Sequence, residues 1–382
     1  MEPEGKGMAT VGTQPGWLSA YREKNRQVFE AWPWPYRLSS DERKWKEWLT
    51  AFAPAGGATR IAEVRSARVL GFDEALPAYG EQIRQALESE QAPHDAMEAR
   101  ANAAFADCFV VVIEGAPAET VSWTVELGEH AAAKVIVLAV AGASAKVLER
   151  VKGGNGLLAE TVVLGAGAGV SCARIHLAGG WNGVCQQQIL ARDAKFRGLN
   201  LWVEGENVKG SLCLALNGRG SSAEQLDAML LAGRQKADVR LLTVHSGEHT
   251  QAYSSMKNVL NGHSQANFDG MVRILPGGQK TESLLEAHSL LLSREAKSRN
   301  VPGLEIEADD VKAKHSASVR HIEEEPLFYL MSRGLPAGEA QEMIIMGFLE
   351  SLLHRMPPAF HEPLAVELRR KWGETRAGAG HA

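Results

Sequence analysis

The feature that most restricts this chain is its middle. Between residues 108 and 310 the sequence is a succession of short β-type runs, at 109–113, 121–127, 135–140, 161–164, 212–216, 239–244 and 271–275, with almost no helical window between them. About 200 residues of short strands punctuated by Gly and Asn exceed an ordinary β-sandwich, which leaves a barrel, a propeller or a parallel β-helix. Four Asn-Gly pairs, beginning at Asn155, Asn182, Asn217 and Asn261, favour antiparallel hairpins. The same residues also supply the left-handed backbone needed at solenoid corners, and an unbroken apolar run such as 135–140 suits a strand buried on both faces. No clean repeat period decides between these architectures.

Helical periodicity frames this middle on both sides. Trp17, Leu18, Tyr21, Val28, Phe29 and Trp32 recur at helical spacing, as do Trp45, Trp48, Leu49 and Phe52, with Pro33 and Pro35 between the two sets. Tyr79, Ile83 and Leu87 form a further stripe, and Met97, Ala101, Ala104 and Phe105 another. Residues 1–106 therefore read as a helical N-terminal domain and 107–316 as the β core. After His315 the helical pattern returns. Leu327, Leu330 and Met331 share a face, Gly334 and Pro336 end one helix and open the next, and Ala340, Ile344, Phe348 and Leu352 follow at four-residue spacing. Beyond Pro357 and Pro358, the residues Leu364, Leu368 and Trp372 mark a third short helix. A C-terminal helical domain over 317–373 and a Gly/Ala-rich flexible tail over 374–382 complete the reading.

Composition excludes several functions. With 45% hydrophobic and 23% charged residues in 382, the chain has ample material for a large core. A formal net charge of −5 provides no concentrated basic surface for nucleic acid. No stretch approaches the roughly 20 apolar residues that span a bilayer, and Met1, Glu2 and Glu4 do not open a secretory leader, so a cytoplasmic chain with no membrane partner is expected. Cys108, Cys172, Cys185 and Cys213 are too few and too scattered to staple a protein of this size, and are expected as reduced thiols.

The chemistry-bearing patterns are few. His245-Ser-Gly-Glu-His249 fits an inverted zinc-protease motif, but that chemistry needs a regular helix, and here Ser and Gly follow the strand-like residues 241–244. Polar groups at a strand end are the expected reading. Gly165, Gly167 and Gly169 follow a strand, yet the next residues alternate as another strand, so no helix N-terminus is offered to a pyrophosphate and a tight turn is expected. No phosphate loop of the GxxxxGK[ST] type occurs. The cysteine separations match no compact cluster-ligand run; Cys108 and Cys213, in apolar runs, read as core residues.

The C-terminal third carries the most specific signal. The run 290–293, the stretch 302–312 ending in Ala-Asp-Asp-Val-Lys, His315 with Ala317 and Ser318, the helix 327–335, and Glu339, Ala340 and 343–348 resemble the SufB/SufD family of SUF iron–sulfur cluster assembly scaffolds in order and spacing. A fainter likeness lies at 101–107. The resemblance implies a mainly β protein: a right-handed parallel β-helix flanked by N-terminal and C-terminal α-helical domains. It implies a non-catalytic scaffold, closer to SufD than to SufB, that pairs through its β-helix with a SufB-type or second SufD-type subunit. It also implies docking of a SufC-type ATPase through the C-terminal helices, where Leu327, Phe328, Leu330, Met331, Met343, Ile345, Met346 and Leu349 are the candidates. By the same resemblance His315 is the cluster or metal ligand candidate at the subunit interface, with no cofactor bound by the chain alone and a transient Fe–S cluster formed on the complex. Ala313 stands where SufD-type members carry Cys, and Ser316 where Gly is usual, which removes a thiolate beside His315. The competing architecture-based reading is a carbohydrate-active β-helix enzyme, which needs a carboxylate cluster on one solenoid face; the acidic groups at Asp309, Asp310 and Glu323, Glu324, Glu325 read instead as exposed charge and a helix N-terminal turn.

Overall fold

The computed structural model describes residues 15–33, 40–52, 58–93 and 95–379. Met1, Glu2, Glu4, Pro35 and the last residues of the expected tail lie outside them. The chain opens with helices α1 (Gly16–Glu30) and α2 (Ser40–Ala51), strands β1 (Arg60–Arg65) and β2 (Arg68–Gly71), and helices α3 (Phe72–Glu88) and α4 (Ala96–Ala104). Sixteen strands follow: β3 (Asp107–Ile113), β4 (Val121–Leu127), β5 (Ala131–Ala139), β6 (Ser144–Gly153), β7 (Gly156–Leu164), β8 (Gly169–Ala178), β9 (Trp181–Leu190), β10 (Lys195–Trp202), β11 (Asn207–Leu216), β12 (Ser222–Leu231), β13 (Lys236–His245), β14 (Gln251–Leu260), β15 (Gln265–Ile274), β16 (Glu282–Leu291), β17 (Lys297–Ile306) and β18 (Lys312–His321). Helices α5 (Glu324–Ser332), α6 (Ala337–Leu353) and α7 (His361–Ala379) close the chain.

The strands form a parallel β-solenoid of about eight turns, each turn contributing one strand to each of two nine-stranded sheets. The first sheet runs β1-β4-β6-β8-β10-β12-β14-β16-β18 and the second β2-β3-β5-β7-β9-β11-β13-β15-β17. Pairing within the solenoid is parallel and in register; Ser144, Gly169, Lys195, Ser222, Gln251, Glu282 and Lys312 occupy one column. Their spacing lengthens from 25 to 31 residues, because the corner between successive sheets grows while the strands stay near ten residues. This drift erases the repeat period from the sequence.

Alternation explains the composition of the strands. Val135 and Val137 point into the solenoid, whereas Ile136 and Leu138 point out under the N-terminal helices, so both faces are buried and the run is continuously apolar. Helices α1 to α4 cover the outer face of the second sheet at its early turns. Helices α6 and α7 cover the outer face of the first sheet through Ile345, Leu349, Leu352, Leu364 and Leu368. A buried clamp pins the N-terminal helices in place: the Lys134 ammonium donates to Glu90 at 2.6 Å and to Asn102 at 3.0 Å, and the Tyr21 hydroxyl also donates to Glu90.

The Asn-Gly pairs make no hairpins. Asn155, Asn217 and Asn261 sit at or beside corners and Asn182 lies within β9, where all the solenoid pairing is parallel. At one edge the corners stack as a ladder: the N–H groups of Gly142, Gly167, Asp193, Gly220, His249 and Lys280 each donate to a carbonyl of the next corner at 2.7 to 3.0 Å, and every one of these residues has a φ between 55° and 73°. The glycine run at Gly165 is one of these tight turns.

Three boundaries differ from the sequence expectation. The first hundred residues are not wholly helical, since β1 and β2 pair antiparallel with β4 and β3 and so cover the starting edge of both sheets. Strand β18 continues past residue 316 to His321, because the solenoid needs a full-length strand to match β16. Helix α7 runs on to Ala379 through the segment expected as a tail, held there by ion pairs such as Arg376 with Glu342.

Gly153 tests the stacking. It has φ of 124°, and an added Cβ would lie 2.0 Å from the Leu127 carbonyl oxygen, whereas Gly142 has φ of 72° and open space around it. Gly153→Ala is expected to lower stability by about 2 kcal/mol or more, and Gly142→Ala by about 1 kcal/mol, from backbone strain alone. Urea denaturation midpoints of the two variants check the order.

Candidate functional site

The two ends of the solenoid are unlike. The starting end is closed by β1 and β2, but the far end leaves β17 and β18 as edge strands with few covered side chains; in β18 Ala313 is half-buried and the other nine residues are exposed. An edge of this length presents a row of free backbone N–H and C=O groups, the template for another strand. His315 pairs in register with Leu285, an interior residue, so the imidazole points toward the open mouth of the solenoid interior. His321 shares that side of the strand, but six residues of strand separate the two imidazoles by about 20 Å, too far to share an ion. His288 is hydrogen-bonded to the Ser318 hydroxyl at 2.8 Å. Ala313 packs against the end of the interior core. Among the described residues no group of three His, Cys, Asp or Glu side chains converges on a metal position. His315 stands apart from any such group.

The four cysteines are free thiols. Burial pushes Cys108 and Cys172 up to about 12 and raises Cys185 and Cys213 well above the ordinary thiol range, so all are protonated at neutral pH. Cys172 faces the interior beside Arg174, and the Cys185 thiol lies 3.2 Å from the Met97 sulfur under helix α4. The motif histidines separate likewise. His245 is buried between Thr250 (2.8 Å) and Ser283 (3.2 Å), where burial lowers its pKa to about 4, while His249 occupies a solenoid corner in left-handed backbone.

The interior holds a charged cluster that the sequence reading missed. Arg174 Nε lies 3.0 Å from both Glu149 and Glu160, and all three side chains are sealed from solvent. The Trp123 N–H donates to Glu149 at 2.8 Å, the Gln186 amide to Glu160 at 2.7 Å, and the Asn200 amide to both Gln186 and Asp227 at 3.0 Å. Asp227 also accepts from the Trp202 N–H at 3.0 Å, and His176 stacks on Trp202 with centroids 3.8 Å apart. The available signal was a charge breaking the inward period-two apolar pattern, as in Val147, Glu149, Val151. This pair of carboxylates is enclosed, so it has no face to offer a sugar. The acidic groups read as surface charge behave so: Asp310 pairs with Lys280, Glu323 with Arg320, and Glu324 and Glu325 occupy the first turn of α5.

The C-terminal helices divide the docking candidates. Helix α5 has no buried residue; Phe328 is 73% exposed and Met331 44%, with Leu327 and Leu330 half-buried. On α6 Met343 is 53% exposed. Ile345, Met346 and Leu349, however, are buried against the first sheet, where they hold α6 to the solenoid, and cannot serve as exposed anchors. Tyr329, 56% exposed, joins the apolar face instead. No helix among the described residues is long and apolar enough to cross a membrane.

A family profile described as "SUF system FeS cluster assembly, SufBD core domain" matches residues 101–348, which takes in the whole solenoid and helix α5 and most of α6. The chain is 30% identical over 167 residues to the iron–sulfur cluster assembly protein SufD of Bacillus subtilis, covering 44% of this chain and 38% of that protein. It is 29% identical over 174 residues to SufB of the same organism, covering 44% and 36%. A SufBD family protein of Mycobacterium leprae is 30% identical over 171 residues, 44% of this chain and 18% of its own length. These alignments span well under half of each relative.

Burial raises the Glu149 carboxyl well above the ordinary carboxylate range, and Glu160 beside it adds to the shift, while Arg174 and Trp123 oppose it. The folded state therefore keeps a proton that the unfolded chain releases above about pH 4.3. That contribution to stability is complete at lower pH and is lost as pH rises through the folded value. Glu149→Gln, which has no proton to lose, is expected to flatten the fall in stability as pH rises above the unfolded carboxyl value of about 4.3, read from urea midpoints; an unchanged slope would contradict the assignment.

Proposed function

Since this chain belongs to the SufBD family of SUF iron–sulfur cluster assembly proteins, we propose that it is a non-catalytic, SufD-type scaffold subunit of a cytoplasmic assembly complex. The β17 and β18 edge pairs with a SufB-type subunit or a second SufD-type copy, and the exposed apolar face of α5 and α6 docks a SufC-type ATPase. The observation that carries this reading is the contrast between the ends of the solenoid. One end is closed by its own antiparallel strands, and the other leaves two long parallel-paired strands with an unused edge. Native chains ordinarily blunt or cover such an edge, and strand addition by a partner is the standard way to satisfy it.

His315 is proposed as a ligand toward an iron–sulfur cluster carried as cargo at the paired edge. Its exposure and its direction toward the mouth suit an iron atom shared with a partner. Ala313 removes the thiolate that would make this chain self-sufficient, so remaining ligands come from the partner. The buried, protonated Cys172, Cys185 and Cys213 support the same division of labour. The SufC dock uses Phe328, Tyr329, Met331 and Met343, with Leu327 and Leu330 behind them. Surplus apolar surface of this kind on a terminal helix marks a partner site.

Co-expression with SufB-type and SufC-type subunits tests both surfaces at once. Phe328→Asp with Met343→Asp is expected to weaken SufC capture at least about 30-fold, the equivalent of about 2 kcal/mol at a central anchor, while subunit pairing persists. Val319→Asp on β18 is expected to abolish pairing and spare SufC capture. Loss of both interactions in either variant would contradict two separate surfaces.

A further inference from the structure

A groove of about 890 Å³ crosses the outer face of the first sheet, in the strip that α6 and α7 leave open along the starts of its strands. Two registered columns build its floor. The inner column runs Lys146, Ser171, Arg197, Glu224, Tyr253, Leu284 and Lys314, one residue from each successive strand. At about 4.8 Å per strand this column is about 29 Å long, the span of about nine residues of extended peptide.

The charge along the groove is uneven. It is lined by six cations, Lys146, Lys195, Arg197, Lys312, Lys314 and Arg355, against two carboxylates, Glu224 and Glu282. That is a net charge of +4 on a chain whose total is −5. The centre is neutralised and apolar: Glu224 accepts from Arg197 at 2.6 Å and from Arg355, and the Arg355 guanidinium lies 4.1 Å over the Tyr253 ring, beside Leu284. The ends are not. Lys146 on β6 and Lys314 on β18, at the two ends, form no ion pair with any described residue, nor does Lys195 on β10 between them, while Lys312 is paired with Glu282. The small side chains at Gly169, Ser171 and Ser222 keep the floor open to a backbone.

We propose that this groove binds an extended acidic segment of a partner protein, lying across the strands with carboxylates at both ends and apolar side chains over Tyr253 and Leu284. The lysines at each end give charge complementarity, and their separation sets the length and the acidic–apolar–acidic order of the ligand. Rim charges of this kind act chiefly through association rate and salt sensitivity. The groove is separate from the α5 apolar face, and its far end adjoins the β18 edge through Lys312 and Lys314; the inference rests on charge and register, so it stands without the proposed scaffold role.

The test uses the full chain and a fluorescein-labelled peptide, Glu-Glu-Gly-Gly-Phe-Leu-Gly-Glu-Glu, followed by fluorescence anisotropy. Saturable binding is expected at low salt, weakened steeply as sodium chloride rises. Lys146→Glu with Lys314→Glu is expected to weaken it more than tenfold, and the milder Lys146→Ala with Lys314→Ala by a smaller factor, while Lys24→Glu on α1 leaves it unchanged. Circular dichroism and gel filtration of each variant exclude loss of fold. Absence of saturable binding, insensitivity to the groove substitutions, or equally tight binding of a single-stranded polyribonucleotide of matched charge would overturn the proposal.

Discussion

Everything in this fold depends on one constraint, the requirement that each solenoid turn be completed by the next. A two-strand turn cannot bury its own inward side chains or satisfy its backbone, so stability comes from neighbour to neighbour. The in-register column from Ser144 to Lys312 and the ladder of corner bonds from Gly142 to Lys280 are two expressions of that dependence. A stack of this kind has two ends by necessity. The chain spends β1, β2 and the helices around them on one end, and the other is left with the strands that carry His315.

The interior adds a second dependence. Glu149, Glu160 and Arg174 come from three strands on both sheets, so the ion cluster fixes the separation and register of the sheets at that level. Removing Arg174 would leave the buried carboxyls without their cationic partner, which is costly in a way that loss of a surface pair is not. The cluster is thus better understood as a lock on the geometry of the scaffold than as a reactive centre.

How much of this was legible in the sequence varied with the physics of each part. The helix–strand–helix order was plain, because period-3.6 stripes such as Ala340, Ile344, Phe348, Leu352 and runs such as 135–140 reflect local packing directly. The choice of solenoid over hairpins was not local: Asn-Gly serves both, and only the family likeness in the C-terminal third separated them. Strands β1 and β2 went unread because six and four residues, mostly exposed, carry no alternation. Helix α6 was half legible. Its surplus of apolar residues was visible, but which of them faces the solenoid depends on the angle at which α6 lies, and Ile345, Met346 and Leu349 fell on the covered side.

The central claim is that the β18 edge is left open for a partner strand. Hydrogen–deuterium exchange over residues 312–321 measures this directly, in the chain alone and in its complex with a SufB-type subunit. Rapid exchange of the outward amides is expected in the isolated chain and strong protection on complex formation, with the corners from Gly142 to Lys280 unchanged. Protection that appears elsewhere while 312–321 still exchanges freely would contradict it.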